Sequence, residues 1–218
     1  MGQYYAINSS FLLEPALGVQ RYAAEILKQM NKMAPAYKEC LRLVLVLPET
    51  PRIEEIRREF SNIEVRCAGK SRRVKVWEQV CFARFLKKEK AKGICLCNTV
   101  PLFSKGGLVC VHDIVFKTHP EYFKEPGAWH EILYRKWMYT HAFHKADIIV
   151  TVSETSKKEI LEQYRVHAGQ IYVAGNGWQH MTVKIQMKPF SRSILSLRKG
   201  RITIIWHRLH RIKICHGF

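Results

Sequence analysis

Apolar and polar positions along the chain alternate between two patterns. Predominantly apolar runs, such as "LRLVLVL" (41–47), "GICLCN" (93–98), "GLVCVHD" (107–113) and "DIIVTVS" (147–153), have the length and β-branched content of strands. "YYAINSSF", "NIEVRCA" and "QIYVAGNG" read as three more. Between them, apolar residues recur every three or four positions. "GVQRYAAEILKQMNKM" sets Val19, Tyr22, Ala23, Ile26 and Met30 on one helical face, and "KVWEQVCFARFLKK" offers Trp77, Val80, Phe82 and Phe85. "RIEEIRREF" predicts a short charged helix, "GAWHEILYRKWMYTHAFHKA" a long one, and "ETSKKEILEQYRV" a third. A strand that is apolar throughout is covered on both faces, as in a parallel sheet packed between helices. The β–α alternation therefore predicts a doubly wound α/β fold.

In such sheets ligands collect beyond the carboxyl ends of the strands. Five polar clusters fall at that rim: Asn8-Ser9-Ser10 with Gly18 opening a helix, Asn98-Thr99, His112-Asp113, Ser153-Glu154-Thr155-Ser156, and Asn176-Gly177. Each also has a structural reading. Ser153 is a good helix N-cap, Asp113 suits the bracing of a loop, and Asn176-Gly177 is a turn by composition. Gly18 serves a tight turn, or a helix N-terminus able to receive phosphate. Glu78 and Gln79, beside the core candidate Trp77, are further candidates for the cleft. No GxGxxG or P-loop lysine motif occurs, which disfavours a dehydrogenase or nucleoside triphosphatase.

Composition changes the picture in one respect. The chain of 218 residues carries a net charge of +18. All 18 acids lie at or before Glu162, against 26 Lys and Arg, an excess of eight; residues 163–218 hold the other 10 basic residues and no acid. The excess before Glu162 suits anionic substrates or lipid head groups. "KSRRVK" (70–75) reads as a solvated loop or a phosphate or membrane contact. Nucleic acid is the disfavoured partner, because no helix-turn-helix, RNP or zinc-finger pattern appears. The seven cysteines sit mostly in apolar runs, and Cys95-x-Cys97 lacks zinc-ligand spacing; alternation puts both on one strand face as buried thiols. His141 and His144 lack a third ligand nearby, so no metal is expected. Neither a secretory signal nor a spanning apolar run is present, and the expected location is cytoplasmic.

"GVQRYAAEIL", "WEQ", "LCNTVPL", "VHDIVFKTHPEYF", "ADIIVTVSETSKKEI" and "IYVAGNGWQH", in that order over roughly residues 4–180, resemble the N-terminal half of a family 4 glycosyltransferase with the GT-B fold. The resemblance implies a Rossmann-like parallel sheet with helices on both faces that holds the acceptor. It also implies a second such domain for the nucleotide-sugar, and no metal or other cofactor. His112 would reach the transferred sugar as the catalytic imidazole. Gly18 and Val19 would approach acceptor or donor phosphate, with Asn98, Thr99, Asp113, Ser153, Asn176 and Gly177 lining the substrate side. The expected reaction is retaining transfer of a hexose, mannose or a related sugar, to a glycan or lipid-linked acceptor of a surface polysaccharide, with peripheral membrane association. Ser9-Ser10 stands where the family suggests something nearer Gly-Arg, which puts one acceptor contact in doubt.

The resemblance stops after "NGWQHM". Residues 1–180 are expected to form the acceptor-side domain, and 181–218 a short basic C-terminal tail without the paired glutamates of a donor site. A reading-frame change or truncated gene accounts for such a tail. A genuine basic tail binding membrane or nucleic acid is the alternative. On either account residues 1–218 alone are expected to be inactive in transfer. They would bind acceptor or a partner, such as a separately encoded donor domain.

Overall fold

The computed structural model describes residues 3–70, 73–102, 104, 106–125 and 128–177, and the backbone of 197–198 and 201–202. The chain divides into two compact units, Met1–Gly177 and Trp178–Phe218. In the second, Leu197–Arg198 and Arg201–Ile202 pair as short antiparallel strands; the rest of the expected basic tail lies outside the described residues.

The first unit is built on seven parallel strands: β1 (Gln3–Asn8), β2 (Leu41–Leu47), β3 (Glu64–Cys67), β4 (Lys92–Cys95), β5 (Leu108–Cys110), β6 (Ile148–Thr151) and β7 (Ile171–Val173). Their spatial order is β3-β2-β1-β4-β5-β6-β7. Between β1 and β4 the order reverses, and connections leave toward opposite faces of the sheet. This is the Rossmann-like α/β arrangement, and its crevice opens beyond the carboxyl ends of those two strands.

Two apolar cores confirm that both faces are covered. On one face α1 (Gly18–Tyr37) and α2 (Ile53–Glu59) bury Tyr22, Leu27, Ile56 and Phe60 against Ile7, Leu45 and Leu47. The opposite core is built by α3 (Val74–Trp77), α4 (Ala83–Glu89), α5 (Val115–Thr118), α6 (Ala128–Lys145) and α7 (Glu154–Gln163), which pack Trp77, Phe82, Phe116, Tyr139 and Ile160 against Ala6, Val44 and Val109. Each such side chain removed from water contributes roughly 1.5–3 kcal/mol. No helix among the described residues is long and apolar enough to cross a membrane.

Three local expectations change. The α1 stripe turns toward Tyr22, Ala23, Leu27 and Asn31, leaving Val19, Ile26 and Met30 half-buried. Val80 is exposed, because α3 and α4 are joined through a π-helical turn at Glu78–Phe82. The wider turn inserts one residue, so the face begun by Trp77 continues at Phe82 and Leu86. Cys95 and Cys97 do not share a face: β4 ends at Cys95, and Cys97 packs with the α1-side core. Both are free thiols that burial pushes up, Cys97 to about 12.

Candidate functional site

Beyond the ends of β1 and β4 lies a cavity of about 510 Å³. Its floor is Asn8 at the end of β1, Ser10 just beyond it, and Cys97, Asn98 and Thr99 after β4; one wall is the start of α1 with Gly18 and Val19. The opposite wall carries Lys75 and Glu78 from the α3 region and Glu131, Tyr134, Arg135 and Tyr139 from α6.

Glu78 is the unusual group. Its side chain is 4 % exposed, yet it lines the cavity. Asn8 Nδ2 donates to Oε2 at 2.7 Å and Thr99 Oγ1 to the same oxygen at 2.6 Å, while Gln79 Nε2 donates to Oε1 at 3.1 Å. Burial raises its pKa to about 7, against the lowering effect of these three donors. The π-helical turn puts Glu78 here, buried beside Trp77 rather than projecting into solvent. Gln79 clamps the next loop, donating to the Val100 carbonyl at 3.0 Å and accepting from the Leu102 amide at 2.9 Å.

Asn98 links this cluster to His112. With φ at 62° it occupies the left-handed region, which asparagine tolerates better than most residues. Its amide donates to the Cys110 carbonyl at 3.1 Å, and its Oδ1 accepts the His112 amide at 2.8 Å. The His112 ring meets Tyr22 edge-on with centroids 4.8 Å apart. Burial lowers the imidazole pKa, opposed by a hydrogen bond to the Leu96 carbonyl and the nearby Asp113. The neutral ring keeps Nε2 buried without a partner. A buried acceptor of this kind calls for a partner, either an ordered water or a group of an incoming ligand.

The structure thus brings Gly18, Val19, Glu78, Asn98 and Thr99 to one cavity, with His112 attached through Asn98. Asp113, Ser153, Asn176 and Gly177 stand apart from its lining. Asp113 is exposed, and its Oδ1 accepts the Val115 amide at 3.2 Å, bracing the turn into α5. Ser153 caps α7, accepting the Ser156 amide at 3.1 Å. Asn176 and Gly177 are exposed beyond β7. Ser9 and Ser10 turn inward, Ser10 bonding Asn8 Oδ1 at 2.8 Å. The sequence reading missed the α6 contribution, because Glu131 and Arg135 alternate with apolar residues as an exposed ion pair does. It also missed that Asn8 addresses Glu78, a pairing across 70 residues. Among the described residues no three or more His, Cys, Asp or Glu are grouped to hold a metal. His141 instead bonds the Leu102 carbonyl.

Gly18 separates structure from binding. A Cβ placed there meets nothing within 4 Å. Gly18→Ala is therefore expected to leave stability unchanged or raise it by up to about 1 kcal/mol, by restricting the unfolded chain. Urea denaturation checks this, and a drop instead would mean that the backbone needs glycine. A binding loss in a variant of unimpaired stability would report close approach by a ligand.

A model of the family described as Glycosyltransferase Family 4 matches residues 17–179. No curated protein matches the chain.

Proposed function

The chain belongs to glycosyltransferase family 4, and from that premise we propose that residues 1–180 form the acceptor-side domain of a retaining enzyme. It would move a hexose, such as mannose, from a nucleotide-sugar to a glycan or lipid-linked acceptor of a surface polysaccharide. The observation that carries this reading is the position of the cavity. It lies where the strand order reverses, lined by Gly18, Val19, Asn98, Thr99 and Glu78, with an unpartnered imidazole nitrogen at the next strand end.

Loss of a nucleoside diphosphate builds positive charge on the transferred sugar. His112 stays neutral and adds no opposing charge there, while Nε2 accepts a sugar hydroxyl and fixes the ring. Asn98 sets its backbone, and Tyr22 limits ring rotation. In the second domain that the resemblance implies, cationic side chains rather than a metal would hold the diphosphate. The leaving phosphate would take the acceptor proton, and closure of the domains would exclude water. Residues 1–218 by themselves would bind acceptor and not transfer sugar. The enzyme would work in the cytoplasm, at the membrane surface when the acceptor is lipid-linked.

The test is nuclear magnetic resonance of the purified chain with methyl hexopyranosides and short glycans. Expected are amide shifts at residues 8–20, 98–99 and 112. Absence of glycan-induced shifts at all three places would sink the reading.

A further inference from the structure

We infer that Glu78 is the specificity-determining residue of the cavity, a fixed hydroxyl acceptor that selects a neutral sugar ring of the acceptor over an anionic one. The inference rests on the acceptor-domain reading and names the class of group that enters this end of the cavity.

The geometry has three parts. First, the carboxylate is locked. Asn8 and Thr99, from two strand ends, both donate to Oε2, and Gln79 reaches Oε1 while tied to the 100–102 loop. An ionised carboxylate offers about four lone-pair sites, and three donors occupy this one, so an acceptor position is left on a group that lines the cavity. Second, the charges around it do not suit a second anion. Glu14, Glu78 and Glu131 face Lys75 and Arg135. Arg135 is engaged by Glu131 at 2.6 and 3.0 Å, and the Lys75 ammonium lies 5.7 Å from the Tyr134 ring centroid. Third, Phe11, Tyr134, Met138 and Tyr139 supply flat and apolar surface. A sugar ring presents such surface with its C–H faces and offers hydroxyls at its edge. A buried carboxylate that accepts a hydroxyl rejects a ligand lacking that hydroxyl, because the acceptor would be left unpaired.

Protonation makes the idea testable. A hydroxyl donor prefers the ionised carboxylate, so ligand and proton compete for Glu78. Binding should tighten as pH rises through about 7. The other groups around Glu78 are Glu14, Cys95, Cys97, Tyr134, Glu131, Arg135 and Lys75, with His141 behind the loop at Leu102. Cys95, Cys97 and Tyr134 are pushed up by burial, and Glu131 down by Arg135, all away from neutrality.

The experiment titrates the Glu78 side-chain carboxyl by carbon-13 resonance in the whole chain, with and without saturating methyl hexopyranosides, and repeats it with glucuronate. The expected result is a lower Glu78 midpoint with the neutral glycoside. Its affinity should rise several-fold from pH 6 to pH 8, and the discrimination against glucuronate should grow over the same range. In Glu78→Gln the affinity should fall and its rise between pH 6.5 and 8, above the range in which His112 takes up its proton, should vanish. The amide oxygen can still accept from Asn8 and Thr99, while the new amide nitrogen replaces the acceptor of Gln79, so two of the three bonds and the Gln79 clamp on the 100–102 loop are kept. An unmoved Glu78 midpoint in the unsubstituted chain overturns the inference, whether or not the variant folds. So does glucuronate binding as well as the neutral glycoside at pH 8, or a variant with unchanged affinity and pH profile. Glycoside shifts confined to Gly18 and His112 would overturn it while leaving the acceptor-domain reading intact. No glycoside shift at any of the three places sinks both.

Discussion

Glu78→Gln is expected to gain about 3 kcal/mol of stability relative to the unsubstituted protein as pH is raised from 4.5 to 8. The unfolded carboxyl releases its proton near 4.5, whereas the folded one holds it to about 7. In that window the folded state binds the extra proton, so the stability that Glu78 contributes is fully present below 4.5. It is lost as pH rises through 7. A rise from 4.5 to about 7 corresponds to roughly 3 kcal/mol. Such a group tends to persist where function demands it. His112 acts with the opposite sign. Its folded pKa lies below 6.5, so its contribution is present above 6.5 and is lost as pH falls from there. In the unsubstituted protein the two slopes oppose one another just below pH 6.5, where His112 begins to take up its proton and Glu78 is still titrating. In Glu78→Gln the His112 slope stands alone, and stability should climb with pH over that interval. Urea unfolding of both proteins at pH 5, 6, 7 and 8 measures this. Parallel curves would show that Glu78 ionises normally in the folded chain.

The strands were legible because a parallel sheet covered on both faces demands largely apolar runs, and "LRLVLVL", broken only by the exposed Arg42, has no competing helical reading. The rim was legible for the same reason. A buried run that ends in His112-Asp113 or Asn98-Thr99 leaves its polar residues only at the strand terminus. What stayed hidden depends on geometry that periodicity does not encode. A 3.6-residue period assigns Val80 to the buried face, and only the π-helical turn transfers that place to Phe82 while carrying Glu78 inward. Within a polar cluster, sequence does not separate a cap from a site residue. Ser153 and Asp113 satisfy their own backbone, whereas Asn98 spends its side chain on the His112 amide. The difference lies in which residue holds a left-handed conformation, and composition only hints at it.

Gly107→Ala should destabilise the first unit by at least about 3 kcal/mol, from left-handed backbone strain and a main-chain clash together. Gly107 adopts φ +91°, and a Cβ there would lie 2.1 Å from the Gly93 carbonyl oxygen and 2.9 Å from its nitrogen. These are backbone atoms of β4, held by pairing of Gly93 with Ala6 of β1, so no side chain can swing aside. Relief requires β5 to move away from β4. That would press the Gly107 carbonyl into the amides of Asp147 and Ile148 at the start of β6, which it already meets at 2.9 and 3.1 Å. The Gly107 amide would also be driven against the Asp147 carboxylate, 2.9 Å away and held in place by Lys92 at 2.7 Å. Urea unfolding beside Gly18→Ala gives the contrast, since both variants add one methyl and only one meets an obstacle. A loss below about 1 kcal/mol would mean that β4 and β5 lie further apart at this end. β5 spans three residues and ends two before His112, so a displacement at Gly107 should reach the Asn98–His112 bond. The variant should therefore weaken glycan binding at the opposite end of the strand, even at temperatures where it stays folded.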